Sequence, residues 1–340
     1  MTIKKIHACT GHRAAIYALA PGRDDRHFFS AAGDGWIVEW NLDDPETGKV
    51  IANTETQIFS LLVLPGGNRL VAGNMNGGLH WIVQDEPDQS INVQHHRKGV
   101  YDMLALGQHL FTAGGDGIFT RWDIETARTI ESIQLSNKAL RAIAFSENRH
   151  EIAVGASDNN IYVLDADTLA LKSTIENAHT NSVFTLAWSP DSKRLLSGGR
   201  DAWLRVWESP EPSAVSRQPS AVHRPLSAVH RPPSTVHRPP SAVHRPPSTV
   251  RPSEAAHLFT INHITFSPDG QLFATASRDK TLKIWDAKTL ELLKVVDTLR
   301  FGGHINSVNR LLWLPDCLIS ASDDRSAIIW GVARLKTNHI

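Results

Sequence analysis

Residues 266–286 read FSPDGQLFATASRDKTLKIWD. One apolar run ends at a Pro-Asp-Gly turn, a second ends at Ser-Arg-Asp, and a third closes on Trp-Asp. Short alternating runs cut by turn residues are the mark of strands joined by hairpins. Residues 188–207, WSPDSKRLLSGGRDAWLRVW, repeat the phrase. Similar phrases recur along the chain: SAAGDGWIVEW ends at Trp40, TAGGDGIFTRW at Trp122, SGGRDAWLRVW at Trp207, TASRDKTLKIW at Trp285 and SASDDRSAIIW at Trp330. All five carry Asp six residues before the Trp and Ser or Thr four before that Asp. Weaker copies, AGNMNGGLHWI and VGASDNNIYVL, end at Ile82 and Leu164. The spacings between end points are 42, 40, 42, 43, 78 and 45 residues. They define seven units of about 42 residues, with one interval about 36 residues too long. Asp34-Gly35, Asn76-Gly77 and Asp116-Gly117 are hairpin turn pairs that accept positive φ. Seven antiparallel sheets at this period predict a β-propeller, which protects sheet edges by radial repetition.

Composition sets the outer bounds. The 340 residues hold 35 Lys and Arg against 35 Asp and Glu, which argues against a chain-wide grip on nucleic acid or anionic lipid. A hydrophobic fraction of 41% is enough for a packed core. Two cysteines, Cys9 and Cys317, make neither a disulfide framework nor a four-Cys zinc site. The start MTIKKIHACTGH lacks the apolar core of a secretory signal, and no apolar run reaches the roughly 20 residues of a membrane helix. The expected compartment is reducing, cytosol or nucleus, with the cytoplasm the default.

The chain resembles the WD40-repeat β-propellers. The resemblance rests on Gly11-His12, Gly303-His304, Trp122-Asp123, Trp285-Asp286 and the two long phrases above. It implies an all-β, seven-bladed propeller of four-stranded antiparallel blades, two of them degenerate. It also implies a buried chain of hydrogen bonds in each full blade, from Trp through Ser or Thr and His to the turn Asp. The residue types suit the roles: indole only donates, carboxylate only accepts, and hydroxyl and imidazole do both. The matching sets are His12, Ser30, Asp34, Trp40; His96, Thr112, Asp116, Trp122; His179, Ser197, Asp201, Trp207; His257, Thr275, Asp279, Trp285; and His304, Ser320, Asp324, Trp330. A Ser-His-Asp set suggests a hydrolase triad, but five copies on one scaffold is the wrong number for an active site. Unit two has Thr54, Ala72, Asn76 and Ile82 at these places, and unit four has Ser136, Val154, Asp158 and Leu164. A half-built network would leave buried polar groups unpaired, so these two blades are expected to rest on apolar packing alone.

The N-terminal stretch Thr2–Cys9 is expected to close the ring as the outer strand of the last blade. The propeller is expected to span 1–208 and 257–340 as one domain. The surplus, 209–256, repeats PSAVHRP with small variations and holds six Arg against two Glu. Dense Pro and few large apolar residues give it no core, so it is expected to be a disordered low-complexity insert between blades five and six. Residues 248–255 directly precede His257, where the outer strand of blade five is expected.

In propellers of this family the narrow face, at the mouth of the central channel, is the common docking surface. The resemblance points three positions per blade toward it. Those expected to bind a partner are Tyr17, Phe59, Met75, Tyr101, Arg141, Phe184, Arg200, Arg278, Asn309 and Asp323. Tyr and Arg are frequent interface anchors. Aromatics from blades one, two, three and five beside Arg from blades four, five and six suit a peptide with an apolar anchor and an acidic or phosphorylated residue. The expected function is a non-catalytic interaction scaffold, a monomer on its own, with no cofactor, catalytic residue or metal. Nucleic acid and membrane are not expected partners. The alternative is peripheral RNA or anionic-membrane binding through the basic insert.

Overall fold

The computed structural model describes residues 1–208 and 256–333. The insert expected at 209–256, apart from Ala256, and the outer strand expected at 248–255 lie outside the described residues.

Seven antiparallel sheets form seven blades around a channel. The innermost strands are Ile16–Pro21, Ile58–Val63, Val100–Leu106, Leu140–Ser146, Val183–Trp188, Ile261–Phe266 and Val308–Leu314. Each packs on the innermost strands of both neighbouring blades, and the contact between Ile16–Pro21 and Val308–Leu314 completes the circle. Blade seven takes its outer strand from the N-terminus: Thr2–Thr10 runs antiparallel to Ser326–Ala333, with Thr2 opposite Ala333 and Thr10 opposite Ser326. The ring is therefore closed by the two ends of the described chain, as the sequence predicts. Blade five has three strands among the described residues, ending at Leu204–Glu208.

Burial explains the composition of each strand. The second strand of a blade is covered on both sides by neighbouring blades, so Leu272–Ser277 and Cys317–Ser322 are buried at every position. These strands, LFATAS and CLISAS, each combine two large apolar residues with small ones, which lets sheets on both sides pack closely. Outer strands face water, and Asp44–Asn53 is accordingly polar and exposed or half-buried throughout. The core consists of seven apolar seams, one per interface between blades. The seam between blades seven and one holds both buried cysteines together with Ile16, Phe28 and Trp40.

Every blade turns between its second and third strands with one residue at positive φ. Gly35, Gly77 and Gly117 take φ of 79, 89 and 83°, and Asn159, Ala202, Lys280 and Arg325 take 76, 68, 73 and 70°. The turn is held by an acidic or amide side chain. Asp34 accepts the Trp36 N–H at 2.9 Å, and Asp324 accepts the Ser326 N–H at 3.1 Å. At Gly117 no other residue fits, since a Cβ would sit 1.9 Å from the Ser136 carbonyl oxygen.

The degenerate blades correct one expectation. They do not rest on apolar packing alone. In blade four, the Ser136 hydroxyl and the Tyr162 hydroxyl both donate to one oxygen of Asp158, each at 2.6 Å. In blade two, Asn74 accepts the backbone N–H groups of Asn76 and Gly78, and its amide meets His80, which in turn pairs with Asn92. The turn still needs a side-chain acceptor for its backbone N–H groups, whether or not a Trp and a His are present. Once that acceptor is kept, its remaining lone pairs need donors, and nearby strands supply them.

Candidate functional site

In each blade the pairing of the first two strands skips one residue. The register shifts fall between Ile16 and Ala18, Ile58 and Ser60, Val100 and Asp102, Leu140 and Ala142, Val183 and Thr185, Ile261 and His263, and Val308 and Arg310. The skipped residues are Tyr17, Phe59, Tyr101, Arg141, Phe184, Asn262 and Asn309. A bulge frees a residue from the ladder and re-aims its side chain. Beside each bulge the residue before the turn Asp or Asn donates its N–H to the first strand: Gly33 to Ala15, Met75 to Gln57, Gly115 to Gly99, Ser157 to Ala139, Arg200 to Ser182, Arg278 to Thr260 and Asp323 to Ser307. The same three positions are thus locked together seven times around the mouth.

The bulge residues touch each other from blade to blade. Tyr17 stands edge-on to Phe59 with centroids 5.4 Å apart, and Phe59 stacks on Tyr101 at 5.4 Å. The Arg141 guanidinium lies over Tyr101 at 4.0 Å and Phe184 at 5.1 Å, and its Nε donates to Ser157 at 3.0 Å. Five adjacent blades therefore share one arc of four aromatic rings and a guanidinium. Arg141 is stacked into that arc while it also neighbours Arg200, because a flat, weakly hydrated cation stacks well on ring faces. Small residues make room: a Cβ on Gly99 would come within 3.0 Å of the Phe59 ring, and one on Gly115 within 2.9 Å of Tyr101.

Blades six and seven continue the circle with amides. Asn262 donates to the Ser307 hydroxyl at 3.0 Å and the Val308 carbonyl at 2.8 Å. Asn309 donates to the Ile16 carbonyl of blade one at 3.0 Å and to Asp323 at 2.7 Å, while Ser307 donates back to Asn309. Burial raises the Tyr17 pKa above its ordinary value, and the Asp323 charge adds to the effect. Burial lowers that of Arg141, with a further push from Arg200. Arg200, Arg278 and Asp323 are exposed, and Met75 is 43% exposed.

Below the mouth sits a layer that the residue pattern does not announce. In five of the seven blades the side chain of the residue after the bulge bonds to another blade; blades one and four have Ala18 and Ala142 there. Ser60 donates to the Val100 carbonyl, Asp102 accepts from the Ile143 N–H, Thr185 accepts from Ile264, and His263 accepts from Leu311. Arg310 of blade seven reaches Asp102 of blade three at 3.2 Å. Outside the mouth on blades six and seven, Leu258, Phe259 and Ile305 are 84%, 58% and 61% exposed.

The Trp, hydroxyl, His and Asp side chains of five blades are hydrogen-bonded in series. In blade five, Trp207 donates to Ser197 at 2.9 Å, Ser197 pairs with His179 at 2.8 Å, and His179 pairs with Asp201 at 2.8 Å. Blades one, three, six and seven repeat this with distances of 2.7–3.1 Å. The series is satisfied throughout only if the imidazole is neutral and carries its proton on Nδ1. Burial lowers the pKa of His12, His179 and His257, which favours the neutral imidazole. Hydrogen bonds from the imidazole and from backbone N–H groups hold Asp201, Asp279 and Asp324 well below the usual carboxylate range against the opposing effect of burial. Each hydroxyl is thus committed between an indole and an imidazole inside a blade. Among the described residues no group of three His, Cys, Asp or Glu gathers as metal ligands.

A family model described as WD domain, G-beta repeat matches residues 3–41, 171–208, 251–286 and 294–331. The matches end on four of the five blades that hold the full series. The chain is 28% identical over 178 residues to the THO complex subunit 6 homolog of Danio rerio, covering 45% of this chain and 53% of that protein. It is 25% identical over 296 residues to eukaryotic translation initiation factor 3 subunit I of Bombyx mori, covering 85% and 68%. A third relative, anaphase-promoting complex subunit cdh1 of Dictyostelium discoideum, is 32% identical over 105 residues, 30% of this chain and 13% of that protein. The chain thus spans from about an eighth to two thirds of the length of these relatives.

Proposed function

We propose that this chain, which belongs to the WD40-repeat β-propellers, is a non-catalytic cytoplasmic scaffold that docks a protein or peptide on the narrow face of its ring. The observation that carries the reading is the arc of Tyr17, Phe59, Tyr101, Arg141 and Phe184, presented by bulges at the channel mouth. Aromatic and guanidinium groups on a rigid scaffold bury large area with little loss of side-chain freedom, and they dominate interface energetics. Arg200 and Arg278 at the edge of the arc favour an acidic or phosphorylated residue in the partner. The relatives named above are by their names subunits of assemblies, which is consistent with a role in a complex.

The test is affinity purification with mass spectrometry of wild type against Tyr101→Ala and Phe184→Ala, each paired with a thermal melt. A partner lost from folded variants supports the mouth as the site. Loss of an anchor typically costs about 2 kcal/mol, roughly 30-fold in affinity. Unchanged partners with folded variants would move the site to the outer rim or to the insert.

A further inference from the structure

The charges at the mouth are unevenly placed. Arg141 and Arg200 stand on blades four and five, and neither has an ion-pair partner among the described residues. Arg141 is fixed in place by two rings and by Ser157, so the cation is half-buried and oriented before any ligand arrives. Asp323 stands on blade seven, on the other side of the aromatic shelf, and is steered by the Asn309 amide, itself tied to the Ile16 carbonyl. Between the two ends lie Tyr101, Phe59 and Tyr17, on blades three, two and one. Along the arc from blade four through blades three, two and one to blade seven the order is cation, three rings, anion, and the exposed Arg278 on blade six stands on the far side of Asp323.

We infer that the partner segment is bipolar: an acidic group sits at Arg141 and Arg200, an aromatic or aliphatic side chain lies on the Tyr17–Phe59–Tyr101 shelf, and a basic group meets Asp323. This rests on the docking reading above and names the chemistry of the ligand for that same surface. A segment with two acids would place one of them against Asp323, and a segment with two bases would place one against a guanidinium that the protein already keeps from water. Like-charge juxtaposition at an interface is a means of rejection as effective as attraction is for selection. The mouth therefore selects by charge order as well as by anchor.

The experiment uses the full chain and labelled synthetic peptides. One set carries Glu and Lys on either side of a central Phe or Leu, in both chain directions and with spacers of varied length. Control sets carry Glu on both sides or Lys on both sides. The expected result is that one direction of the Glu–anchor–Lys set binds at least about tenfold tighter than either control, as read by fluorescence anisotropy at low salt. Asp323→Lys should then shift preference to the double-Glu peptides, and Arg200→Glu to the double-Lys peptides; both positions are exposed, and a thermal melt checks folding. Equal binding of mixed and double-Glu peptides, an unchanged order in Asp323→Lys, or no binding by any mixed peptide would overturn the inference. If double-Glu peptides bind equally well and Tyr101→Ala abolishes both, the mouth stands as the docking site and only the charge order falls. If peptides bind and the Tyr101 and Phe184 variants bind alike, the docking reading falls as well.

Discussion

Arg310 of blade seven donates to Asp102 of blade three across the central channel at 3.2 Å, joining innermost strands that are not neighbours in the ring. The other oxygen of Asp102 accepts the Ile143 N–H of blade four at 2.8 Å, so one carboxylate ties three blades together. Arg310 also lies beside His263, whose charged form is disfavoured first by burial and then by this guanidinium. The strut sits directly under the ring of bulge residues, since Asp102 follows Tyr101 and Arg310 follows Asn309.

Breaking this strut should cost more than its exposure to solvent at one end suggests. Asp102→Ala leaves a guanidinium and a buried N–H without an acceptor, and each such group costs roughly 1–3 kcal/mol. Arg310→Met removes only the cation and should cost less, because Asp102 keeps its bond to Ile143. Urea unfolding of both single variants and the double variant checks this. Strict additivity would show that the two side chains do not act together.

The turn carboxylates give a second expectation. Asp201→Ala strips acceptors from His179, the Thr180 and Trp203 N–H groups and Arg205. Asp158→Ala strips them from Ser136, Tyr162 and the Asn160 N–H. Both should destabilise by about 2 kcal/mol or more through several unpaired groups at once. Asp123→Ala, which frees the exposed Thr126 and the exposed Glu125 N–H, should cost about 1 kcal/mol or less. A value for Asp158→Ala as small as that for Asp123→Ala would mean that the Tyr162 cluster is not a working substitute for the His-based series.

These comparisons also mark what the residue pattern can and cannot reveal. The seven blades are legible because Asp and Trp recur at one offset on one pleat, and a slip of one residue would turn every apolar side chain outward. Tyr17, Phe59 and Tyr101 are legible as mouth residues because each lies five residues after the histidine position of its unit, His12, Thr54 and His96. Tyr162 is not, since it takes over the role of a loop histidine from within the third strand of its blade. The pair of Asp102 and Arg310 is separated by 208 residues, and no local pattern links the two. Stacking of Arg141 into the aromatic arc depends on which rotamer wins in three dimensions, so its position alone suggests only a basic rim.

Acid should destabilise the ring in two stages. His12, His179, His257 and His263 have folded pKa values lowered by burial, and His95 is lowered to about 4. A histidine with a lowered folded pKa leaves stability untouched above its unfolded value near 6.5, and stability is lost as pH falls from there through the folded value. The carboxylates follow: Asp116 is lowered to about 2, so the stability it contributes is present above its unfolded value near 3.8 and lost as pH falls through about 2. Urea midpoints should therefore fall between pH 7 and pH 4, and fall again below pH 4. His95→Gln, which keeps a group able to bond Thr120, should flatten the first stage without altering the second. A first stage of equal size in that variant would remove His95 from the account.

The insert should be dispensable for folding. The described ring is already held on the far side of the insert by the His257 N–H on the Ala202 carbonyl and by Lys283 on the Ala256 carbonyl. Loop-closure entropy changes by only about 0.6 kcal/mol per doubling of length. Deleting residues 213–247 should leave the melting temperature the same or slightly higher. A drop of many degrees would show that the repeat packs on the ring.

The aromatic arc should behave as one coupled unit around Arg141. The guanidinium touches Tyr101 and Phe184 and donates to Ser157, so it gains from two ring faces and one hydroxyl at once. Each cation–π contact contributes about 0.5–2 kcal/mol, rising with desolvation. Arg141→Lys keeps the charge but loses the flat stacking surface and the directed Nε–H bond, and should destabilise by about 1 kcal/mol. Arg141→Leu loses the charge but fills the slot between the rings, and should leave stability closer to wild type. The two variants therefore separate packing from charge: Lys should preserve salt-sensitive binding of an acidic peptide better than Leu, while Leu should preserve the melt better than Lys. Tyr101→Leu and Phe184→Leu, combined with each Arg141 variant in double-mutant cycles, measure how much of the effect passes through the rings. If Arg141→Lys melts like wild type and the cycles show no coupling, the guanidinium is a free rim cation and the arc is four separate side chains rather than a single surface.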